Sequence, residues 1–302
     1  MKLAVEFPSV AYREGKDKVL QLAKAIEDIG YDELAVFDHV VMGFPGEGRT
    51  TMYPARMPIL EAFMTLALVT AVTDRVSLST EVLVLPQRQP VLVAKQVSTL
   101  DTLSNGRVRL GVGVGWQDSE YDALEEDFST RGKRMDEAID LLRCYWGDEE
   151  IEFISEHYSS TAMGMEPKPP QGANIPIWIG GGSKAALRRT ALKGDGWMGS
   201  GANDETLIAG RATIRRLAEE AGRDPDSIGM QVMLAPPPVT DEDKRFYMDL
   251  DTITARAARV KEMGFDWTAV NATAVFQAGA RSVDAIIDRL GEIHEAIRAE
   301  TA

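Results

Sequence analysis

Apolar residues recur along this chain in two alternating modes. Short, nearly continuous runs appear as KLAVEF (2–7), ELAVFDH (33–39), VSLSTEVLVL (76–85), VRLGVGVG (108–115), IPIWIG (175–180), GWMGS (196–200), IGMQVML (228–234) and WTAVNAT (267–273). Each has the length and composition of a buried β-strand, GWMGS being the weakest by propensity. Between them apolar residues return at three- and four-residue spacing, as helices with one buried face require. The clearest stripe is Val283, Ile286, Ile287, Leu290, Ile293 and Ile297; others run through Val19, Leu20, Ala23 and Ile26, through Leu60, Phe63, Met64, Ala67 and Leu68, and through Met135, Ile139 and Leu142.

Strands that are apolar on both faces and separated by helices imply a parallel sheet covered on both sides. Eight such units favour an α/β (β/α)8 TIM barrel over an open doubly wound sheet, with 1–302 as a single domain. Two segments break the repeat. Residues 147–174 hold Pro167, Pro169 and Pro170 and predict an excursion before strand five. Residues 235–251, APPPVTDEDKRFYMDLD, predict a proline-rich, charged loop that either overhangs the barrel top or is a plain surface excursion.

Composition narrows the function. The 302 residues carry 33 basic and 47 acidic side chains, a net charge of -14, which argues against nucleic acid as a partner. The single cysteine, Cys144, excludes an intrachain disulfide and any multi-cysteine metal site, and its place in LLRCYW predicts a buried inert thiol. No run approaches a membrane span and the first residues lack a secretory apolar core, so the expectation is a cytoplasmic protein with no membrane partner. No His/Glu or Cys/His spacing suggests a metal. No Gly-x-Ser-x-Gly elbow is present for nucleophilic catalysis.

Glycines carry most of the candidate chemistry. In RVRLGVGVGW (107–116), Gly111, Gly113 and Gly115 have the wrong spacing for a dinucleotide-binding loop, and Trp116 stands where the third glycine would be. Alternate glycines on one strand face either admit something bulky at the barrel rim or serve tight packing inside it. A second cluster, Gly180, Gly181, Gly182 and Ser183, precedes a helix starting near Lys184, with Ser183 as N-cap. Such a junction suits one phosphate monoester, a simple left-handed turn being the alternative. Asp38 and His39 end strand two, and His39 alone of the three histidines lies at a predicted barrel-top position; His294 reads as a surface residue. Glu81 interrupts the apolar third strand, a costly placement unless it is paired, functional or on an outward bulge.

The ordered segments LVLPQRQPVLVAKQVSTLDTLSNGRVRLGVGVGW and EPKPPQGANIPIWIGGGSKAALRRTALKGDGWM, together with FDHV, resemble the luciferase-like monooxygenase superfamily. Within it they are most similar to the oxidoreductases that use the deazaflavin coenzyme F420. The resemblance is good over about residues 1–235 and weak beyond. It implies a ring lying across the C-terminal ends of the barrel strands, backed by strand three at Thr80, Glu81 and Val82, with a non-prolyl cis peptide at Glu81–Val82. It implies ring contacts from Asp38 and His39, and from Gly113, Val114, Gly115 and Trp116, and a phosphate cradle at Gly180 to Ser183.

The activity so implied is hydride transfer between coenzyme F420 and an unidentified small organic substrate, with His39 as acid or base. FMN is the alternative cofactor, in a monooxygenase, and a non-catalytic flavin or deazaflavin carrier is a second alternative. F420-dependent glucose-6-phosphate dehydrogenases place a glutamate where Trp116 stands and a tryptophan where Gly43 stands, so sugar-phosphate oxidation is disfavoured. Met42, Phe44, Met52 and Trp116 suggest an apolar substrate pocket, or simple packing. Arg49, Arg56 and Arg88 fall in predicted barrel-top loops, where they either meet a polyglutamate tail or stay solvated. Pairing through barrel helices into a homodimer is also implied.

Overall fold

The computed structural model describes residues 1–46, 52–201, 203–235 and 243–301. Eight parallel strands form the ring: β1 (Lys2–Glu6), β2 (Glu33–Val36), β3 (Ser77–Thr80), β4 (Val108–Gly113), β5 (Ile177–Gly180), β6 (Gly196–Gly199), β7 (Gly229–Met233) and β8 (Trp267–Asn271). Each pairs with its sequence neighbours, and β1 pairs β8, with Lys2 beside Trp267 and Glu6 beside Asn271. The seam between β3 and β4 joins Leu78 to Val108 and Ser79 to Arg109. This is the expected (β/α)8 TIM barrel, and its outer wall is the apolar layer between strands and helices, with Leu3, Val5, Leu34, Leu78, Leu110 and Ile177 at its base.

Sequence boundaries and structural boundaries differ where charge or glycine intervenes. The predicted strand 76–85 is split: after Thr80 the chain passes through the cis peptide Glu81–Val82, and a two-residue strand, Leu83–Val84, then pairs with β4 outside the ring. Predicted strand 267–273 ends at Asn271, whose side chain accepts from Ala274 N–H and starts the helix Ala272–Ala278. Met64, read as part of a buried stripe, is 74% exposed. It sits on the outer face of the helix Ala62–Thr70, which has apolar residues nearly all round.

Both predicted excursions exist in altered form. The segment before β5 contains an antiparallel hairpin, Ile151–Ile154 with Ser159–Met163. After β7, residues 243–248 form a short 3-10 helix and the next α-helix begins at Leu250, so the predicted loop is shorter than 235–251; residues 236–242 lie outside the described set. Among the described residues no helix is long and apolar enough to cross a membrane.

The inside of the barrel is polar along one line. Arg109 is buried with its guanidinium over the rings of Trp178 and Trp267, 4.0 and 4.6 Å from their centroids. Its Nη2 donates to Glu33 and, at 2.6 Å, to Gln231 Oε1. Gln231 Nε2 in turn donates to Glu81 Oε1 at 2.7 Å. The column therefore connects the barrel centre to its C-terminal mouth.

Candidate functional site

A cavity of about 450 Å³ opens at the C-terminal ends of the strands. Seven of the eight strands or the turns that follow them line it: Glu6; Phe37, Asp38 and His39; Glu81, Val82 and Val84; Gly113 to Trp116; Gly180 and Gly181; Met198 to Ser200; and Gln231 to Met233. Met52 and Tyr53 close one side from the long loop after β2. The walls are mostly apolar with a few convergent polar groups, as a small-molecule or cofactor site requires.

His39 is the best-anchored of those polar groups. It is 6% exposed, and its Nδ1 lies 2.8 Å from Glu120 Oε2. Glu120, on the short helix Asp118–Ala123 that follows β4, also accepts from the backbone N–H of Val40 (2.6 Å) and Val41 (3.3 Å) through Oε1. Burial alone would raise the Glu120 carboxyl, but hydrogen bonds and charge from His39, with the Val40 N–H, hold it below the usual carboxylate range. The carboxylate fixes an Nδ1–H tautomer and leaves Nε2 as the ring's other polar atom. Around the imidazole, Phe37, Tyr53 and Trp116 stand edge-on with centroids 5.2, 6.0 and 5.6 Å away.

Asp38 lines the cavity with its carboxylate already engaged by protein. Its carboxylate accepts from Val84 N (3.0 Å) and from Arg88 Nη2 (2.8 Å), so its oxygens brace the irregular strand edge. Arg88 is thereby engaged, and it also donates to Val84 O, which removes it as a solvated partner for an anionic tail. Arg56 is exposed, and Arg49 lies outside the described residues.

The alternate glycines of β4 make room mainly for protein. A Cβ on Gly111 would lie 2.0 Å from Thr80 O, on Gly113 2.7 Å from Val82 Cγ2, and on Gly115 2.7 Å from Val84 Cγ1. The packing alternative is thus the observed one for β4. Gly180 does the same from β5, its Cβ position 2.9 Å from Val82 Cγ1. Val82 is seated over two side-chain-free positions and presents an apolar surface to the cavity. Gly115 and Gly181, with φ of 67° and 116°, turn the chain away at the rim in conformations that favour glycine.

Thr80, Gly182 and Ser183 lie off the cavity. Thr80 is buried and donates to Gly111 O at 2.6 Å. Ser183 caps the helix Lys184–Lys193 as expected, accepting from Ala186 N at 3.2 Å, and it and Gly182 are exposed beside the cavity's Gly180–Gly181 edge. Met52 and Trp116 line the cavity, whereas Met42 and Phe44 do not. His294 is half-buried rather than superficial: its Nε2 lies 3.1 Å from Gly30 O, and burial and then Arg298 lower its pKa.

Sequence reasoning missed Glu120, Glu6, Tyr53 and Gln231. Glu6 and Gln231 carry the signal that marked Glu81, a polar residue inside an apolar strand run. Glu120 carries none, because acidic residues at helix starts are ordinary. Away from the barrel mouth, Glu137, Glu156 and His157 bring ligand-type atoms within 4.8 Å of one another, a cluster not legible from spacing. Glu137 is engaged there with Ser155 and His157, holding the hairpin turn.

Comparison with known proteins places this site in context. An uncharacterised protein of Mycobacterium tuberculosis is 37% identical over 211 residues, 68% of this chain and 72% of the relative. An F420-dependent glucose-6-phosphate dehydrogenase of Nocardia farcinica is 28% identical over 260 residues, 82% of this chain and 74% of its own length. A pyrimidine monooxygenase of Yersinia enterocolitica is 32% identical over 186 residues, 58% of this chain and 49% of its own. The crystal structure of a monooxygenase from Streptomyces bottropensis superposes with a TM-score of 0.82 at 19% identity, covering all of both chains, and supports the fold. Residues 3–291 match the family model of luciferase-like monooxygenases, and the chain belongs to that family.

Proposed function

We propose that this protein is an oxidoreductase that uses coenzyme F420 to move a hydride to or from a small, fairly apolar organic molecule in the barrel-top cavity. The observation that carries the reading is His39, held by Glu120 in a cavity walled by apolar side chains and by the backbone of Gly113–Gly115 and Gly180–Gly181. F420 is favoured because the F420-dependent relative aligns with more of the chain than the pyrimidine monooxygenase does.

The residues present fit such a coenzyme. Val82, Val84, Val114, Met198 and Trp116 offer apolar surface to a planar ring, and Gly182 and Ser183, ahead of the helix Lys184–Lys193, offer backbone N–H groups to a phosphate, the Gly181 N–H being taken by Met198 O. When bound, F420 supplies a two-electron hydride donor or acceptor at a ring carbon. His39 Nε2 gives or takes the accompanying proton at the substrate, while Glu120 keeps Nδ1 protonated and steadies the imidazolium form. Trp116 and Tyr53 exclude water from the imidazole edge. The exposed apolar residues Val40, Val41 and Met52 at the mouth fit a substrate with an apolar body.

A second reading, an FMN-dependent monooxygenase, draws support from the pyrimidine monooxygenase relative. Spectroscopic titration with F420 and FMN separates the two, since exclusive FMN binding overturns the first. Substituting His39→Ala tests for a mere carrier. Binding retained with hydride transfer lost supports catalysis, and binding alone, with no substrate-dependent redox change in the wild type, supports a carrier.

A further inference from the structure

The floor of the cavity holds two carboxyl groups. Glu6 ends β1, and its carboxyl has no hydrogen bond or ion pair to any described residue where it lines the cavity; Glu81 lines it from the strand-three side. Only one Glu81 oxygen is used: Oε1 accepts from Gln231, whereas Oε2 is buried without a partner. The cation below them is already committed, because Arg109 donates to Glu33 and reaches Glu81 only through Gln231.

We propose that Glu6 and Glu81 act together as a singly protonated acid pair that recognises an N–H beside a C=O, the edge of an imide or lactam ring, at the buried end of the bound molecule. Two carboxyls in a low-dielectric cavity cannot both be charged cheaply. With one proton between them, the neutral carboxyl presents a donor and the ionised one an acceptor, which complements an amide-type edge.

The surroundings agree. Burial, and then the charge of Glu81, push the Glu6 carboxyl up to about 8. Burial raises Glu81, with Arg109 and Gln231 pulling the other way. Glu33 lies deeper, raised to about 7 by burial against the pull of Arg109. Tyr53 and Tyr247 feel these charges and are themselves raised, chiefly by burial, so they remain neutral. The other titratable groups of the cavity wall are His39, bonded to Glu120, and Asp38, bonded to Val84 N–H and Arg88. The pair therefore carries a proton at neutral pH and loses it in mild alkali.

The inference rests on this cavity being the ligand site, and the imide could belong to the coenzyme ring or to a substrate. The test uses the full-length protein and isothermal binding at about pH 6 to pH 9. One arm compares FMN with its N3-methyl derivative and measures F420 alongside. The other, with coenzyme present, compares uracil with 1,3-dimethyluracil. Expected is an affinity loss on the order of tenfold or more on N-methylation in one arm, which identifies the source. Affinity for the unmethylated compound should fall about tenfold per pH unit above about 8. Glu6→Gln, which still donates but cannot ionise, should flatten that pH dependence.

N-methylation that changes affinity less than about twofold in both arms overturns the proposal, as does an unchanged pH profile in Glu6→Gln. So does failure of every N–H compound to bind. Coenzyme binding indifferent to methylation, with uracil also indifferent, defeats this inference and leaves the F420 reading standing. Uracil binding with a methylation penalty, but no coenzyme binding, does the reverse.

Discussion

Replacing Glu120 by glutamine removes the charge behind His39 while leaving an oxygen for the neighbouring backbone. In Glu120→Ala, the His39 Nδ1–H and the Val40 N–H lose partners now at 2.8 and 2.6 Å. An unpaired buried donor costs about 1–3 kcal/mol, so alanine should cost about 2–6 kcal/mol and glutamine, which still serves Val40, about 1–2 kcal/mol. At about 2–4 °C per kcal/mol for chains approaching this size, Glu120→Gln should melt about 2–8 °C below the wild type near neutral pH. The pH dependence supplies the sharper signature. Glu120 is held below its ordinary value in the folded state. Its stabilisation is present above the unfolded carboxylate value of about 4.3 and disappears as pH falls through the folded one. The gap between wild type and Glu120→Gln should therefore be full above about pH 5 and close below about pH 4. Thermal melts across that range, with ¹⁵N spectra reporting the His39 tautomer, make the check. Parallel melting curves at every pH, or an Nδ1–H tautomer unchanged in the variant, would refute the anchoring role given to Glu120.

Other positions make independent demands. Gly180→Ala places a Cβ 2.9 Å from Val82 Cγ1 and should cost about 1–3 kcal/mol in urea denaturation, largely recovered by adding Val82→Ala; an additive double variant contradicts the packing. Because Glu6 is raised to about 8 in the folded protein, its favourable contribution is present below its unfolded pKa and lost as pH rises toward about 8. Glu6→Gln should accordingly gain stability relative to wild type between about pH 5 and pH 8, and a pH-independent difference in melting contradicts this. Arg109→Met leaves Glu33 buried without its cation and should cost about 3–5 kcal/mol; adding Glu33→Gln should restore part, and no restoration means the pair is not coupled.

The barrel was legible because its evidence is repeated: eight apolar runs and intervening helical stripes point to one architecture. Details failed where one residue served two purposes. STEVLVL looked like one strand because its apolar pattern continues through Glu81–Val82, yet the ring strand stops at Thr80 and the paired segment resumes outside it. The glycines of LGVGVGW were legible as a need for space, but only tertiary packing reveals that Val82 and Val84 occupy it. The site was found through His39 and both glycine clusters, since each sits at a strand's C-terminal end. Its partner Glu120 was not, because helix Asp118–Ala123 meets the β2 loop only in three dimensions, 81 positions from His39. Asp38, adjacent to His39 in sequence, also lines the cavity, but its carboxylate serves the backbone of Val84 and the Arg88 guanidinium.

The central claim is that the cavity over Val82 binds a deazaflavin ring. Fluorescence titration of the protein with F420 and with FMN, repeated on Val82→Trp, which fills the cavity floor between Gly113 and Gly180, addresses it most directly. The account predicts saturable micromolar binding of F420, little or none of FMN, and loss of F420 binding in a folded Val82→Trp variant. Binding of FMN in place of F420, or F420 binding undisturbed by the tryptophan, would contradict it.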